Sequence, residues 1–187
     1  MTGTLPTEMG LLTQLEFFSV FETDINGTLP SEIALCTSLL DLDLWSTGLH
    51  GTVPEELYHA PWERLGYLNL GRNDLSGTIS TNIGKLTTLG VLYLNDNNFR
   101  GTLPTEIGLL TLLETIHVDG SGLTGTIPQS LCDLRESDFS LHDVQADCAE
   151  PPLGENNVTM QIPQMCPLGC CTNCCIPSSG VCAPIVY

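Results

Sequence analysis

Cysteine is the residue type with the most chemistry to offer in this chain of 187 residues, which contains nine of them. Six are crowded near the C-terminus, at Cys166, Cys170, Cys171, Cys174, Cys175 and Cys182. Thiols this close together favour disulfides in an oxidising compartment or a thiolate metal site. Structural zinc modules use two separated CxxC-type pairs, and this tail offers one cluster, so we expect three disulfides whose pairing stays open.

The other three cysteines have different surroundings. Cys132 and Cys148 flank a segment in which the apolar spacing of the preceding chain is lost, and we expect them to form a disulfide with each other. Cys36 takes a position that apolar residues occupy at regular intervals, namely Leu12, Trp62, Leu86 and Leu110. Cys36 is therefore predicted to be a buried and unreactive thiol.

Patterns typical of catalysis are absent from the sequence. Gly120, Gly122 and Gly125 match the GxGxxG pattern, but residues 126–129 do not predict the helix that a dinucleotide loop requires. The four histidines are scattered, and no Walker, HExxH or GxSxG motif occurs. We expect no enzyme activity, no cofactor and no metal site.

These residues sit on a repeat. The dipeptide Gly-Thr begins units of 24 to 26 residues at Gly3, Gly27, Gly51, Gly77, Gly101 and Gly125. Within each unit two apolar positions alternate with outward ones, as in a short strand, and the inward pairs are Phe18/Val20, Leu42/Leu44, Leu68/Leu70, Leu92/Leu94 and Ile116/Val118. Stacked units of this period build a parallel sheet over a continuous core.

Two further columns describe the rest of each unit. A polar residue follows each strand and is expected to hydrogen-bond the backbone of neighbouring coils, at Thr23, Thr47, Asn73, Asn97 and Ser121. Prolines early in the units favour extended or 3₁₀ segments over full helices, at Pro6, Pro30, Pro54, Pro104 and Pro128.

The motif LxxLxxLxLxxNxLxGxIPxxIG, which residues 3–148 approximate, resembles the plant-type leucine-rich-repeat family. The resemblance implies an α/β right-handed solenoid with short parallel strands on the concave face, 3₁₀ or extended segments on the convex face and little regular helix. Members include secreted and cell-surface proteins, receptor ectodomains and inhibitors of wall-degrading enzymes. The paired cysteines of the tail are similar to those of repeat proteins from microalgae such as diatoms.

The outward strand positions carry aromatic, acidic and amide side chains. Exposed rings supply apolar contact area, and carboxylates and amides supply directional bonds, so we predict a ligand site here. The candidate binding residues are Phe21, Asp41, Asp43, Trp45, Tyr67, Asn69, Arg72, Tyr93, Asn95 and His117.

A column of six threonines is the other regular surface: Thr4, Thr28, Thr52, Thr78, Thr102 and Thr126. Such an array resembles ice-binding surfaces. We favour the alternative that each threonine is a turn residue whose side chain hydrogen-bonds the backbone.

The charge of the chain limits the classes of partner, and its composition suggests a division into segments. A net charge of −17 repels phosphate groups, which disfavours nucleic acid, and no apolar stretch reaches the length of a membrane span. We divide the chain into a solenoid at 1–148 with a disulfide cap at 125–148, a linker at 149–165 and a cysteine-rich tail at 166–187. The first unit has no cap or signal before it, so we expect a truncated chain that self-associates through its first coil.

The sequence therefore predicts an extracellular or cell-surface module that binds protein, peptide or glycan through its concave sheet. Two sequons fit a glycoprotein, at Asn157 and Asn26. Two alternatives stay open: a structural wall or matrix protein crosslinked through its tail, and, more remotely, an ice-binding protein.

Overall fold

A computed structural model describes residues 2–136, 141–147, 170, 173–176 and 181–184. Cys148, Cys166, Cys171, Asn157 and the predicted linker lie outside the described residues. The described chain forms two β-sheets, parallel except for one strand, joined by short turns and 3₁₀ segments. The larger sheet and the scarcity of regular helix are those predicted for a leucine-rich-repeat solenoid. Within these ranges no helix has the length and apolarity needed to cross a membrane.

The larger sheet has eight strands and carries the predicted outward positions. Its strands are β2 (Phe17–Ser19), β4 (Asp41–Asp43), β6 (Tyr67–Asn69), β8 (Val91–Tyr93), β10 (Thr115–His117), β11 (Asp143–Asp147), β12 (Asn173–Ile176) and β13 (Val181–Pro184). Strands β2 to β12 of this sheet pair in parallel, and β13 pairs with β12 in the antiparallel sense. The in-register pairing of Asp43, Asn69, Tyr93 and His117 places one residue of each coil beside its equivalent in the next.

The core lies behind this sheet, where the predicted inward residues stack from coil to coil. Leu42, Leu68, Leu92 and Ile116 are fully or almost fully buried, and Val144 of β11 continues the row. Phe18 is only partly buried, because it belongs to the first coil and has a neighbour on one side in the described chain. Each buried leucine contributes about 2 kcal/mol through removal of its surface from water.

The polar column after the strands forms the predicted ladder at its two asparagines, whereas Thr23, Thr47 and Ser121 bond the backbone of their own coil. Asn73 Oδ1 accepts hydrogen bonds from the backbone N–H groups of Thr47, Gly48 and Leu49 at 3.2, 2.9 and 3.0 Å. Its Nδ2 donates to the carbonyls of Leu44 and Leu70 at 2.8 and 3.1 Å, so one amide satisfies groups of two coils. Asn97 repeats this arrangement one coil further along. The hydroxyls of Thr23, Thr47 and Ser121 each donate to the carbonyl three residues earlier.

The convex side of the first five coils consists of single turns, as Pro6, Pro30, Pro54 and Pro104 predict. The same prediction for Pro128 is wrong, because the eight-residue α-helix Gln129–Glu136 follows it. Four are 3₁₀ helices, at Thr7–Leu11, Ser31–Leu35, Thr81–Lys85 and Thr105–Leu109, and the third coil instead has the α-helix α1 (Glu55–Tyr58). Pro6, Pro30, Pro54 and Pro104 precede these turns in extended conformation, and Ser80 takes the same place in the fourth coil.

A second sheet was not predicted. It has five parallel strands, β1 (Thr2–Thr4), β3 (Asp24–Thr28), β5 (Leu49–Thr52), β7 (Asp74–Gly77) and β9 (Asn98–Phe99). Gly3, Gly27, Gly51 and Gly77 lie in these strands, and all six repeat glycines have positive φ, between 79° and 130°. Some also leave room for a methyl group, since a Cβ added to Gly77 or Gly125 would lie 2.9 Å from Cγ2 of Thr52 or Thr102 in the preceding coil. Glycine is thus required for both backbone and packing.

The C-terminal end corrects three expectations. Cys132 is bonded to Cys170 and not to Cys148, so the predicted Cys132–Cys148 pair is wrong. Because Cys170 is used in that bond, the expectation of three disulfides among the six tail cysteines is wrong as well. The reason is that β12 extends the main sheet beside β11, which brings Cys170 next to the helix that holds Cys132. That helix, α2 (Gln129–Glu136), begins four residues after Gly125, so the expectation that no helix follows the GxGxxG pattern is also wrong.

Candidate functional site

The candidate site is the concave face, by which we mean the outward side of the eight-stranded sheet. Because side chains alternate across a strand, the residues that flank each inward leucine point away from the core. Seven of the ten predicted binding residues line one open groove of about 540 Å³ on this face, together with Glu22. The seven are Phe21, Asp43, Trp45, Asn69, Tyr93, Asn95 and His117. Asp41, Tyr67 and Arg72 lie at neighbouring positions of the same strands and turns.

One edge of the concave face is set by an unusual backbone conformation. The residue before each ladder position has positive φ, at 51° for Glu22, 55° for Ser46, 52° for Arg72 and 51° for Asp96. Residues other than glycine seldom adopt this left-handed backbone conformation, and the ladder hydrogen bonds hold the backbone in it. The charged groups of Glu22, Arg72 and Asp96 are thereby brought to the same edge.

A row of rings crosses the middle of the face. Tyr67 and Tyr93 meet edge to face, with ring centroids 5.9 Å apart and an interplanar angle of 88°. Tyr93 also stacks on His117, with centroids 4.5 Å apart. His117 Nε2 lies 3.0 Å from Asp143 Oδ2, which fixes the imidazole. Rings that are packed on one another lose little conformational entropy when a ligand binds, which suits them to recognition.

Trp45 lies two residues after the end of β4 and contacts a cation of the protein itself. The Arg72 guanidinium carbon is 5.2 Å from the centroid of the Trp45 ring, which is within cation–π range. The backbone of Trp45 donates a hydrogen bond to Asp43 Oδ1 at 3.1 Å. Trp45 is thus held in place by one acidic and one basic neighbour.

Asn69 has a different role from the one its position predicts. It is only 5% exposed, its Nδ2 donates to the Tyr67 hydroxyl at 3.1 Å, and its Oδ1 accepts from the Gly71 backbone at 3.1 Å. Asn69 therefore positions Tyr67. Gly71 keeps the groove open, because a Cβ there would lie 2.7 Å from Asn95 Oδ1 and 3.2 Å from Trp45 Cδ1.

The site residues of β11 were not predicted from the sequence. Asp143 and Gln145 stand in register with Thr115 and His117 of β10, and Asp147 ends the same strand. The signal was present, since LHDVQAD at 141–147 has the same apolar spacing as LETIHVD at 113–119. It was overlooked because no Gly-Thr dipeptide begins that coil.

Several carboxylates on this face are held in surroundings that disfavour their charge. Burial raises the pKa of Asp41, and the negative charge of Asp43 raises it further. Burial likewise raises the pKa of Asp119 and of Asp147, and the Asp96 carboxylate contributes to both shifts. The pKa values of the Tyr67 and Tyr93 hydroxyls are raised, mainly by burial, so both stay neutral. The face is therefore crowded with negative charge.

The GxGxxG segment is filled by the protein itself. The Gly120 N–H donates to Asp147 Oδ1 at 2.8 Å, and a Cβ on Gly122 would lie 2.6 Å from the Phe99 carbonyl oxygen. The nearby carboxylates of Asp96 and Asp119 would repel a phosphate. These glycines serve the turn and its packing.

The remaining reactive groups lie away from this face. Cys36 is fully buried, its Sγ donates to the Met9 carbonyl at 3.2 Å, and burial raises the pKa of its thiol, as expected for an unreactive cysteine. Among the described residues no group of three His, Cys, Asp or Glu side chains is arranged to hold a metal ion. Asn26 is exposed on β3.

Comparison with known proteins identifies the repeat. The Leucine Rich Repeat family profile matches residues 64–86 and 88–110. No curated protein sequence gives a significant match.

Three solved structures resemble the chain, each over 78% of its length. The first is the ectodomain of the Arabidopsis thaliana receptor kinase GASSHO1/SCHENGEN3 in complex with CASPARIAN STRIP INTEGRITY FACTOR 2, at 31% identity and a TM-score of 0.71. The second is the plant peptide hormone receptor RGFR1 in complex with RGF2, at 33% and 0.69. The third is a plant ice-binding protein, at 26% and 0.67.

The chain is much shorter than these relatives. It spans 17% and 23% of the two receptor chains and 47% of the ice-binding protein. The likeness therefore concerns the repeat architecture. By its period, its fold and these matches, the chain is a leucine-rich-repeat solenoid that is similar to plant receptor ectodomains.

Proposed function

We propose that this chain is an extracellular recognition module that binds a ligand through its concave face. The observation that carries the proposal is the open groove in which Trp45, Tyr93 and His117 lie together. Large rings beside directional polar groups are the composition of energetically important interface residues. The structural relatives support the same reading, since two of them are plant receptor structures in complex with CASPARIAN STRIP INTEGRITY FACTOR 2 and with RGF2.

The test is a binding screen with a matched pair of variants. Secreted wild-type protein is applied to arrays of short peptides and of wall oligosaccharides, alongside Trp45→Ala/Tyr93→Ala. The double variant should lose the bound ligands, while its circular dichroism and thermal midpoint show that it is folded. Ligands that bind both proteins equally would place recognition elsewhere on the molecule.

A second candidate function, ice binding, is favoured by a specific observation on the threonine column. All six threonines are exposed, and none of their hydroxyls hydrogen-bonds another described group, so the expectation that they bond the backbone is wrong. The methyl groups of Thr4, Thr28, Thr52, Thr78 and Thr102 instead face the repeat glycine of the next coil, 2.9–3.5 Å from where a Cβ would lie. The exposed hydroxyls recur once per coil, and one structural relative is a plant ice-binding protein.

Thermal hysteresis and ice shaping separate the two candidates. An ice-binding surface would lose its activity in Thr52→Tyr/Thr78→Tyr, because bulky rings break the regular row, and would keep it in Trp45→Ala/Tyr93→Ala. Absence of hysteresis in the wild-type protein would remove this candidate and leave the concave-face proposal intact. The matrix-crosslinking alternative has no comparable support, since Cys170 is bonded within the chain.

A further inference from the structure

The charges of the concave face point to the chemistry of its ligand. Among the outward positions whose side chains the structure describes, Arg72 is the one permanent cation. The same positions carry seven carboxylates, of Glu22, Asp41, Asp43, Asp96, Asp119, Asp143 and Asp147. We propose, resting on the recognition function above, that the concave face binds an extended peptide segment with two basic side chains about four to six residues apart.

Four of the seven carboxylates form two groups. The first consists of Asp41 and Asp43 on β4. The second consists of Asp119, two residues after β10, and Asp147, at the end of β11, and Asp96, after β8, lies beside this second group. The Asp96 carboxylate raises the pKa of both its neighbours, which means that the three charges are close enough to repel one another. A cation seated in either group would relieve this repulsion.

The distance between the groups sets the spacing in the ligand. Counting along the sheet, β10 is three strands from β4 and β11 is four strands from it. With neighbouring strands about 4.8 Å apart, the two groups are separated by roughly 14–19 Å. An extended peptide advances about 3.4 Å per residue, so two basic residues reach both groups when about four to six positions apart.

The surface between the two groups suits the middle of such a peptide. Trp45, Tyr93 and His117 line the groove there. The Trp45 ring holds the Arg72 guanidinium at 5.2 Å, which shows that it takes part in a cation–π contact. The tyrosine hydroxyls stay neutral and are available for hydrogen bonds to a peptide backbone.

Other occupants fit the charges less well. A neutral oligosaccharide would leave the carboxylate repulsion in place, and an anionic ligand would add to it. A second copy of this chain is disfavoured because the chain has five basic residues against 22 acidic ones. A basic peptide is the ligand class that is attracted by the carboxylates, can contact the rings and can span the distance between the two groups.

The test uses fluorescein-labelled nonapeptides of glycine, serine and one central tyrosine. The first peptide carries two arginines five positions apart, the second replaces both with neutral citrulline, and the third with glutamate. Further peptides place the arginines two positions apart. Fluorescence anisotropy with the folded wild-type protein should give at least about 10-fold tighter binding for the first peptide than for any other, because each basic side chain makes a charge-assisted contact.

Two protein variants with the same net charge locate the effect. Asp43→Asn/Asp119→Asn removes one charge from each group, and Asp24→Asn/Asp74→Asn removes two exposed charges from the second sheet. We expect the first variant to bind the arginine peptide about 10-fold more weakly and the second to change affinity by less than about 2-fold. Equal losses in both variants would mean attraction to the acidic chain as a whole and would overturn the inference.

The outcomes also separate this inference from the function on which it rests. If citrulline peptides or oligosaccharides bind as tightly as the arginine peptide, and binding requires Trp45 and Tyr93, the charge inference is wrong and the recognition function stands. If arginine peptides bind equally well with either spacing, the two-group geometry is wrong. If no peptide or oligosaccharide binds through Trp45 and Tyr93, both proposals fail.

Discussion

Asp119 links the charge of the concave face to the stability of the fold. Its pKa is raised mainly by burial, and the carboxylates of Asp96 and Asp147 add to the shift. The folded protein therefore holds the Asp119 proton more tightly than the unfolded chain does. The stability gained from that proton is fully present at acidic pH and is lost as pH rises through the raised pKa.

We predict that Asp119→Asn raises the free energy of unfolding at neutral pH. The neutral amide avoids the cost of the buried charge, so the gain should shrink as pH falls below the raised pKa and the wild-type carboxyl becomes protonated. Urea unfolding at several pH values measures the difference. Asp24→Asn, at an exposed position, is the control and should show no such pH-dependent gain. A gain that grew toward acidic pH would contradict the account.

Asn73 is the residue on which the stacking of coils depends most. Its amide bonds the backbone of Thr47, Gly48 and Leu49 in one coil and of Leu70 in its own. Replacement by alanine leaves several buried backbone groups without a partner, at about 1–3 kcal/mol for each unsatisfied group.

We therefore predict that Asn73→Ala lowers the free energy of unfolding by about 3 kcal/mol or more, as measured by urea denaturation. Asn98→Ala is the matched control, because Asn98 is exposed and its side chain makes one long contact of 3.4 Å to Asp74. The control should change stability by less than about 0.5 kcal/mol. Similar effects of the two substitutions would mean that the ladder does not hold the coils together.

At the scale of elements, the pairing of the last two strands of the larger sheet predicts a second disulfide. The backbone pairing of β12 with β13 sets Cys175 directly opposite Cys182. Opposed residues of antiparallel strands have Cα atoms about 4.5–5.5 Å apart, which suits a disulfide. Non-reducing peptide mapping by mass spectrometry should find Cys132 linked to Cys170 and Cys175 linked to Cys182. A Cys132–Cys148 link would contradict both the structure and this prediction.

The sequence predicted the periodic elements well and the irregular ones poorly. The main strands, the buried leucines and the Asn73 ladder follow from a spacing that recurs in each coil. The second sheet was missed because Ile25, Leu49, Leu75 and Phe99 give one buried position per short strand, which produces no alternation. The partner of Cys132 was not predicted because it depends on the pairing of β12 with β11. The sequence around Cys132 contains no signal for that long-range contact.

For the candidate site, residue placement was predictable and residue role was not. The outward positions of β4 to β10 follow from strand alternation, so Trp45 and Tyr93 were found. Whether a polar side chain is free depends on its neighbours, and Asn69 is taken up by Tyr67 and Gly71. Asp143 and Asp147 were missed because their coil lacks the Gly-Thr dipeptide.

At the scale of the whole molecule, the solenoid presents two faces with different chemistry. The concave face is a groove with rings and carboxylates, and a separate column of exposed threonines begins on the second sheet, at Thr4, Thr28 and Thr52. The first coil of the solenoid also exposes Leu11, Leu12 and Phe17, whose exposed fractions are 79, 52 and 64%. Apolar groups this exposed favour self-association, and we predict that light scattering detects an average mass that rises with protein concentration.

The most direct test of recognition through the concave face is an equilibrium titration of the tightest ligand from the binding screen against three proteins. These are the wild type, Trp45→Ala/Tyr93→Ala, and Thr52→Tyr/Thr78→Tyr in the threonine column. Aromatic hot-spot residues contribute about 2 kcal/mol or more each, so the first variant should bind at least about 30-fold more weakly. The threonine variant should bind as the wild type does. The reverse pattern, with affinity lost in the threonine variant and kept in the aromatic one, would contradict the account.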